Sequence, residues 1–477
     1  MIRKLLSNSL IYGLAPNIPK VAALFILPLL TAHLTEEDYG IAGTIVAYTL
    51  ALSAFSTLGF SVILQNAFFK QHNSFKELWS HIYGFLQLWM IVFSIIQSVI
   101  LYFIIPEQAI INRWWIILLT NFNGVILGPA GFIGPLYYQL EQHPIPIAVR
   151  SVIGGLLSLA INYITIVTLE MGYMGWYISS FLGTFIVNIS YWWTLKYKIN
   201  IRPNYHFNKE LVKNRLKIAL PTIPHYYSVF LIQTSSRLVM DWFKIGLATI
   251  GTYNIAQQIT SYVETGINAV ERAAGPPSMQ GIQDNKEHES KRFVFLFIYI
   301  TFSICFLIAL WSKEIFNILI KNPQLASAYP YAAILIMALC YRPMYFAASN
   351  IYFFYEETKK ILKITFFAGI IAFLLNLIFI PLYGLWAAVI INYITFIYQG
   401  YSAFFIFNTF KKYSKITYPW LSVLILQMGL TFLAFSLLES PIIYKIVSSS
   451  IFLISIICIG FFFFKIRKNE NYQRLSK

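Results

Sequence analysis

Four charged side chains interrupt apolar stretches of this sequence. Lys20, Arg237 and Arg342 are basic and Glu264 is acidic, and each lies inside or at the edge of a run long enough to cross a bilayer. A charged side chain at the centre of a membrane helix costs about 2.5–3.5 kcal/mol on insertion scales, and it usually marks a functional site. Cationic side chains bind phosphate and carboxylate through charge-assisted hydrogen bonds. The excess of cations therefore predicts a site for an anionic group.

Arg342 and Lys20 are the leading candidates to bind that group. Arg342 precedes Pro343, has no acidic neighbour within two turns along the sequence, and carries the forked, permanently charged donor that suits phosphate. Lys20 follows Pro16 and Pro19, which free backbone carbonyls and are tolerated where a membrane helix faces protein or a wet cavity. The alternative for Lys20 is that its side chain extends to the inner head groups.

Two pairs of similar segments indicate an internal repeat. The pattern Pro-x-Ile-Pro occurs at 16–19 and at 221–224, and the segments 154–162 and 368–376 resemble each other at nearly the same offset. The asparagine that ends each segment of the second pair is interpreted as a hydrogen-bonding link between helices. Internal repeats are typical of transporters whose substrate site lies near the membrane midplane.

The second copy adds three candidate residues. His225 occupies the position equivalent to Lys20, although a packing role explains it equally well. Arg237 lies four residues before Asp241, so an i,i+4 ion pair explains both without a ligand. We keep His225 and Arg237 as further ligands of the anionic group, and Asp241 as a charge partner.

Glu264 is the single acidic residue within a predicted span. It belongs to a stripe of polar positions spaced by three or four residues, which faces a cavity or another helix: Tyr253, Gln257, Thr260, Ser261, Asn268 and Glu271. Two interpretations stay open for Glu264: a proton or cation site, or the partner that neutralises one of the basic residues.

Composition places these residues in a polytopic membrane protein. The chain is 58% hydrophobic and 11% charged with mean hydropathy +0.65, whereas soluble proteins carry about 25% charged residues. A membrane helix needs about 20 apolar residues. This criterion predicts an all-α fold with about 14 transmembrane helices: 10–31, 41–64, 82–104, 114–138, 151–169, 173–195, 218–240, 248–270, 293–311, 329–352, 364–380, 384–408, 418–438 and 446–464. The three cysteines fall in these spans and predict neither a disulfide framework nor a metal site.

The repeat divides the chain into two halves. We predict a first six-helix lobe at 1–200, a cytoplasmic basic linker at 201–217, a second six-helix lobe at 218–408, and two additional helices with a basic cytoplasmic tail at 409–477. Because each lobe has six helices, both lobes run the same way, and the repeat is parallel.

Most of the 35 lysines and arginines fall on one side of these spans. The positive-inside rule then places both termini in the cytoplasm. The net charge of +16 is explained by this topology and by contact with anionic lipid, so no nucleic-acid partner is needed.

Four segments resemble motifs of a known transporter superfamily. Residues 34–40 (LTEEDYG) are similar to its turn before the second helix, and residues 250–256 (IGTYNIA) resemble the counterpart in the second repeat. Residues 172–175 and 384–387 are similar to its small-residue turns before helices 6 and 12. By these motifs the chain resembles the bacterial polysaccharide exporters, which are flippases for lipid-linked oligosaccharides in the multidrug/oligosaccharidyl-lipid/polysaccharide exporter superfamily. It departs from them in Ser236, where relatives often have an aspartate before the arginine.

The resemblance implies two helical lobes around a central cavity that alternate in access. The implied substrate is a polyprenyl-pyrophosphate-linked repeat unit of O-antigen lipopolysaccharide or capsule, moved across the bacterial cytoplasmic (inner) membrane. Implied protein partners are a polysaccharide polymerase and a chain-length regulator. We expect neither catalytic residues nor a cofactor, and no P-loop is present.

Several alternatives remain open from the sequence. A lipid II-type flippase and a multidrug/cation antiporter share the implied fold. An antiporter usually needs acidic residues within the membrane to bind cations, and Glu264 is the single one in the predicted spans. The energy source is H⁺ or Na⁺ bound at Glu264, or the membrane potential, which is worth about 2.3 kcal/mol per charge per 100 mV.

Overall fold

The computed structural model describes residues 17–70, 74–206, 209–220, 223–284, 287–406 and 418–455. Within these residues the secondary structure is helical and contains no β-strand. The α-helices in chain order are α1 Ile18–Ala32, α2 Glu36–Ser56, α3 Phe60–Lys70, α4 Phe75–Ile104, α5 Arg113–Leu140, α6 Ile145–Asn162, α7 Met174–Trp193, α8 Lys209–Ala219, α9 Ile223–Trp242, α10 Leu247–Gln283, α11 Glu287–Leu310, α12 Ser312–Leu319, α13 Pro323–Ala326, α14 Tyr329–Ala338, α15 Arg342–Phe354, α16 Thr358–Phe405, α17 Trp420–Ser436 and α18 Ile442–Ser455.

Apolar helices that could cross a membrane occur throughout the described part of the chain. Seven helical segments in the described residues are long and apolar enough to cross a membrane: Glu36–Lys70, Phe75–Ile104, Glu107–Leu140, Ile145–Thr168, Ser290–Leu310, Pro323–Phe354 and Thr358–Phe405. Shorter apolar helices are α1, α17 and α18. The prediction of an all-α, multi-pass membrane protein is confirmed, whereas the number of 14 spans stays a prediction.

The chain divides into two compact units. The first takes its residues from Met1–Gln258, Asn317–Ala328 and Lys359–Thr395, and the second from Ile259–Phe316, Tyr329–Thr358 and Phe396–Lys477. In the first unit α5 packs between α4 and α7, and α7 also packs against α6. Helix α1 lies on α6, α2 lies on α9, and α8 lies on α3. In the second unit α11 packs against α14, α15 and α17.

The segment 34–40 begins α2 with a capping box. The hydroxyl of Thr35 accepts a hydrogen bond from the Asp38 N–H at 3.1 Å, and the Asp38 carboxylate accepts one from the Thr35 N–H at 2.8 Å. These two bonds satisfy backbone donors that a helix start leaves open. The other carboxylate oxygen accepts the N–H of Tyr173 at 2.9 Å, next to Gly172 in the left-handed region with φ +53. Two of the motifs singled out in the sequence are therefore joined.

Helix α16 is two helices in one continuous run. Gly384 has φ 58 and ψ −134, which are not helical and which glycine adopts without strain from a Cβ. Pro381 lies three residues earlier. The break falls where the sequence predicts one span to end at 380 and the next to begin at 384.

Candidate functional site

Arg342 lies where a membrane helix is interrupted. Helix α14 ends at Ala338, a 3-10 turn covers Leu339–Tyr341, and α15 begins at Arg342 itself. Pro343 has no N–H to donate to the preceding turn, and proline is best accommodated in the first turn of a helix, where Pro343 lies. The predicted span 329–352 is therefore divided at the residue with the strongest functional prediction.

The interruption is stabilised by a buried amide. Gln427 of α17 donates from Nε2 to the carbonyl oxygen of Cys340 at 2.7 Å, and its Oε1 accepts the hydroxyl of Tyr401 at 2.6 Å. Gln427 is fully buried. An unsatisfied carbonyl in a bilayer costs several kcal/mol. The bond from Gln427 therefore satisfies a backbone carbonyl at the helix break, and the bond from Tyr401 satisfies the amide oxygen of Gln427 in turn.

The guanidinium of Arg342 bridges two carboxylates. Nη1 lies 2.6 Å from Oε1 of Glu264, and Nη2 lies 3.2 Å from Oε2 of Glu271. The three side chains are 20%, 25% and 28% exposed, respectively, so water reaches the cluster only in part. Hydrogen bonds between ionised groups are about twice as strong as neutral ones. Both nitrogens of the Arg342 fork are thus held by carboxylates.

Glu264 and Glu271 are seven residues apart on α10, which is two helical turns, so both project from one face. The predicted span ended at residue 270 and a loop followed, but α10 continues to Gln283. Its extension is packed against α11, where the hydroxyls of Ser278 and Ser290 lie 3.0 Å apart and are buried. Glu271 therefore lies within a helix, and Arg272 beside it also acts on its carboxylate electrostatically.

Arg237 and Asp241 take partners from neighbouring helices of the first unit. Nη1 of Arg237 donates to Oδ1 of Asn254 at 2.9 Å, and Nδ2 of Asn254 donates to the carbonyl of Tyr39 at 3.2 Å. Asp241 accepts the hydroxyl of Tyr48 at 2.7 Å. The i,i+4 ion pair is not formed between these two described side chains, because α2 and α10 offer each of them a nearer partner.

The guanidinium of Arg237 is only partly satisfied. The residue is 8% exposed, and its Nε has no hydrogen-bond partner in the described part of the chain. Its neighbour Ser236 donates to the hydroxyl of Tyr253 at 3.0 Å. A buried cation held by one neutral amide keeps donor capacity for a further acceptor.

Lys20 and His225 begin the two helices that the repeat relates. Lys20 lies near the start of the described part of α1, and its side chain is exposed. His225 lies in the first turn of α9, but its side chain is outside the described residues. The structure thus brings together Arg342, Glu264 and Glu271, and separately links Arg237 to Asn254. A single phosphate site formed by Lys20, His225, Arg237 and Arg342 stays a prediction.

Two residues of these clusters were absent from the predicted site. Glu271 was part of the polar stripe of α10, and that spacing was the signal that placed it beside Glu264. Asn254 belongs to the motif at 250–256, but a neutral amide carries no insertion penalty and so gave no signal of its own.

A family model matches more than half of the chain. Residues 5–283 match the family model described as "Polysaccharide biosynthesis protein". The chain belongs to this family. No curated protein matches the chain.

Solved structures show the same fold at low sequence identity. The lipid II flippase MurJ in an inward-closed conformation is 14% identical with a TM-score of 0.63, over 91% of this chain and 99% of that chain. An inward-facing multidrug resistance MATE transporter of the MOP superfamily is 15% identical with a TM-score of 0.61, over 85% and 96%. A MOP superfamily transporter from Pyrococcus furiosus, described as having a binding pocket of reverse polarity, is 14% identical with a TM-score of 0.55, over 86% of this chain and 96% of that chain. The family match confirms the resemblance predicted from the sequence, and these structures confirm the fold that the resemblance implied.

Proposed function

We propose that this protein is a flippase that moves a polyprenyl-pyrophosphate-linked oligosaccharide repeat unit from the inner to the outer leaflet of the bacterial cytoplasmic membrane. Membership of the polysaccharide biosynthesis family and the fold shared with MurJ support this proposal. The transported unit would serve surface polysaccharide assembly, as O-antigen or capsule. A polymerase and a chain-length regulator would act after it.

The observation that carries the proposal is the guanidinium of Arg342, bound by two carboxylates at an interrupted helix. Arginine binds pyrophosphate oxygens with two parallel hydrogen bonds, the same geometry that it offers to carboxylates. Arriving pyrophosphate therefore competes with Glu264 and Glu271 for the same nitrogens. In the proposal Lys20, His225 and Arg237 supply further positive charge, and the polyprenyl chain stays in lipid.

The carboxylates also offer a source of coupling. Once Arg342 turns to the substrate, Glu264 is left without its cation, and a proton or Na⁺ then compensates its charge. Membrane potential acts on the same step, since one charge moved through 100 mV is worth about 2.3 kcal/mol. No bond of the substrate is made or broken, so the proposal needs neither a catalytic residue nor a cofactor.

A deletion strain tests the proposed function. We expect complete undecaprenyl-pyrophosphate-linked repeat units to accumulate in the cytoplasmic leaflet, surface polysaccharide to be lost, and the wild-type gene to restore both. Truncated or partly polymerised chains instead would assign the protein to synthesis or polymerisation. Loss of viability on depletion would favour a lipid II flippase, and new drug sensitivity with unchanged lipid-linked sugars would favour an antiporter.

A further inference from the structure

The linker between the predicted lobes is docked against the first of them. Its extended part is anchored to α4, where the Asn204 N–H donates to the carbonyl of Ser80 at 2.9 Å and Ile201 is fully buried. Helix α8 follows and buries Val212 and Ala219 in the core that α3 and α4 share. The side chains on α8 therefore have fixed positions relative to α3.

A cleft of about 170 Å³ lies between α8 and α3. One basic residue from each helix lines it, Lys70 from α3 and Arg215 from α8, together with the amide of Asn66. Neither Lys70 nor Arg215 has a hydrogen bond or ion pair with another described residue. Two cations that face one cleft without an acid repel each other, and an anion between them removes that repulsion.

The rest of the cleft is apolar and extends along α3. Ile63 and Ala67 share one face of α3 with Lys70, because positions seven and three residues apart lie above one another. Ile63 lies about 10 Å further along the helix axis than Lys70, at 1.5 Å per residue. Lys70 is the last residue of the segment Glu36–Lys70, which is long and apolar enough to cross a membrane, and Ile63 lies further inside that segment. A basic residue at the end of such a segment is expected near the head groups.

We propose that this cleft binds one anionic phospholipid of the inner leaflet, with its phosphate between Lys70 and Arg215 and the start of an acyl chain against Ile63 and Ala67. The two cations match the phosphate of a phospholipid, and the apolar residues beside them match its acyl chain. A free phosphate ion would contact only the cations. Such a lipid would fasten the linker helix to α3. This site is independent of the proposed substrate site.

Lipid binding to the purified full-length protein in detergent tests the proposal, with native mass spectrometry as the readout and phosphatidylglycerol as the probe. The double variant Lys70→Gln/Arg215→Gln should bind phosphatidylglycerol roughly 10- to 30-fold more weakly, because each cation near a lipid surface adds a comparable share of affinity. The matched control is Lys213→Gln/Lys217→Gln, which removes two exposed cations of α8 that do not line the cleft. It should change binding less than about twofold.

A second variant adds an acid to the cleft and leaves both basic residues in place. Ile218 lines the cleft and is 52% exposed, so Ile218→Asp adds an acid there without disturbing the core. It should weaken phosphatidylglycerol binding as the double variant does, with unchanged thermal unfolding. Equal losses in the control pair would show diffuse attraction only and overturn the site. Competition by millimolar inorganic phosphate would make it a free-anion site, and tighter binding of undecaprenyl pyrophosphate would assign it to the substrate; either result overturns the assignment.

Discussion

In the proposed mechanism, each nitrogen of the Arg342 guanidinium binds either a carboxylate oxygen or a pyrophosphate oxygen, but not both at full strength. The 2.6 Å bond to Glu264 and the 3.2 Å bond to Glu271 hold the guanidinium in a fixed orientation before any substrate arrives. Preorganisation of this kind lowers the entropy lost on binding. The same bonds oppose binding, because they must be exchanged. In the proposed mechanism, the strength of the carboxylate contacts sets both the selectivity for the pyrophosphate and the rate of its release.

Substitutions at Arg342 and Glu264 separate these two effects. Arg342→Lys keeps the positive charge but loses the two parallel N–H donors of the guanidinium. We expect undecaprenyl pyrophosphate to bind about 10- to 100-fold more weakly, which is equivalent to the loss of one hydrogen bond to a charged group. Glu264→Gln removes a competitor, so binding should become tighter while flipping in proteoliposomes becomes slower. Binding isotherms and a leaflet-accessibility assay measure the two quantities.

The control for this prediction is Arg202→Lys, at an exposed arginine outside the cluster. It should leave both quantities unchanged. If Arg342→Ala flips the substrate at the wild-type rate, Arg342 does not bind the pyrophosphate.

Helices α2 and α10 approach each other through glycine. A methyl group built on Gly40 would overlap the carbonyl of Leu247, and one built on Gly251 would overlap the carbonyl of Glu36. Close backbone approach of this kind is typical of helix pairs in membranes, where packing rather than hydrophobicity drives association. The Asn254 bond to the Tyr39 carbonyl lies beside the same contact.

Gly251→Ala should therefore destabilise the protein, although alanine is the better helix former. The overlapping atom belongs to backbone, so α2 and α10 have to move apart. Gly266→Ala on the same helix is the matched control, because nothing lies within 4 Å of its added methyl. That control should be neutral or stabilise the helix by up to about 1 kcal/mol. Thermal unfolding in detergent compares the two, and equal effects would contradict a close contact at Gly251.

The hydropathy of the sequence identifies the apolar helices, but it does not identify helices made of charged or polar residues. The sequence predicted a linker at 201–217 and a loop after residue 270, yet α8 and the extension of α10 are helices there. A hydropathy scan does not detect these two segments because their composition is polar. Their contacts with α3 and α11, which stabilise them as helices, are not visible in the sequence. The charge penalty singled out Arg342 and Glu264 as individual residues. The sequence left open that Glu264 neutralises one of the basic residues, but it did not identify Arg342 as that residue. The two are 78 positions apart, and only the packed helices bring them together.

The repeat is visible in packing as well as in sequence. In the first copy, a methyl group on Gly155 of α6 would overlap the ring of Pro19 on α1. In the second copy, one on Gly369 of α16 would lie 3.0 Å from the carbonyl of Ser228 and from the Cβ of Leu231, both on α9. In the first copy the two motif segments themselves are in contact, whereas in the second copy the segment 368–376 contacts α9 four to seven residues after the motif at 221–224.

The last two helices are tied to the second unit by charge. Nζ of Lys445 on α18 is bound by both oxygens of Glu314 on α12, at 2.7 and 2.9 Å, and Lys445 is fully buried. The neighbouring Lys313 pairs with Glu439, and these side chains are 36% and 61% exposed. The indole of Trp311 also donates to the hydroxyl of Ser449 at 2.9 Å. Two adjacent residues of the same segment therefore form one buried and one exposed ion pair.

The two ion pairs predict unequal losses of stability from substitutions at the adjacent residues Lys313 and Glu314. Glu314→Ala leaves the ammonium of Lys445 buried without a partner, which costs about 3–5 kcal/mol. Lys313→Ala removes one side of an exposed pair, which costs about 1 kcal/mol or less. We expect the first to lower the unfolding temperature in detergent strongly and to expose α18 to limited proteolysis, and the second to do neither.

A double substitution distinguishes a charge requirement from a packing requirement. Replacing a buried pair by apolar residues of similar volume is often neutral or stabilising. Glu314→Leu/Lys445→Met should therefore recover most of the stability that Glu314→Ala loses, and transport with it if the pair only fastens the last helices. Recovery of stability without recovery of flipping would mean that the charges themselves act during transport. Failure to recover either would show that α12 and α18 are held by contacts other than this pair.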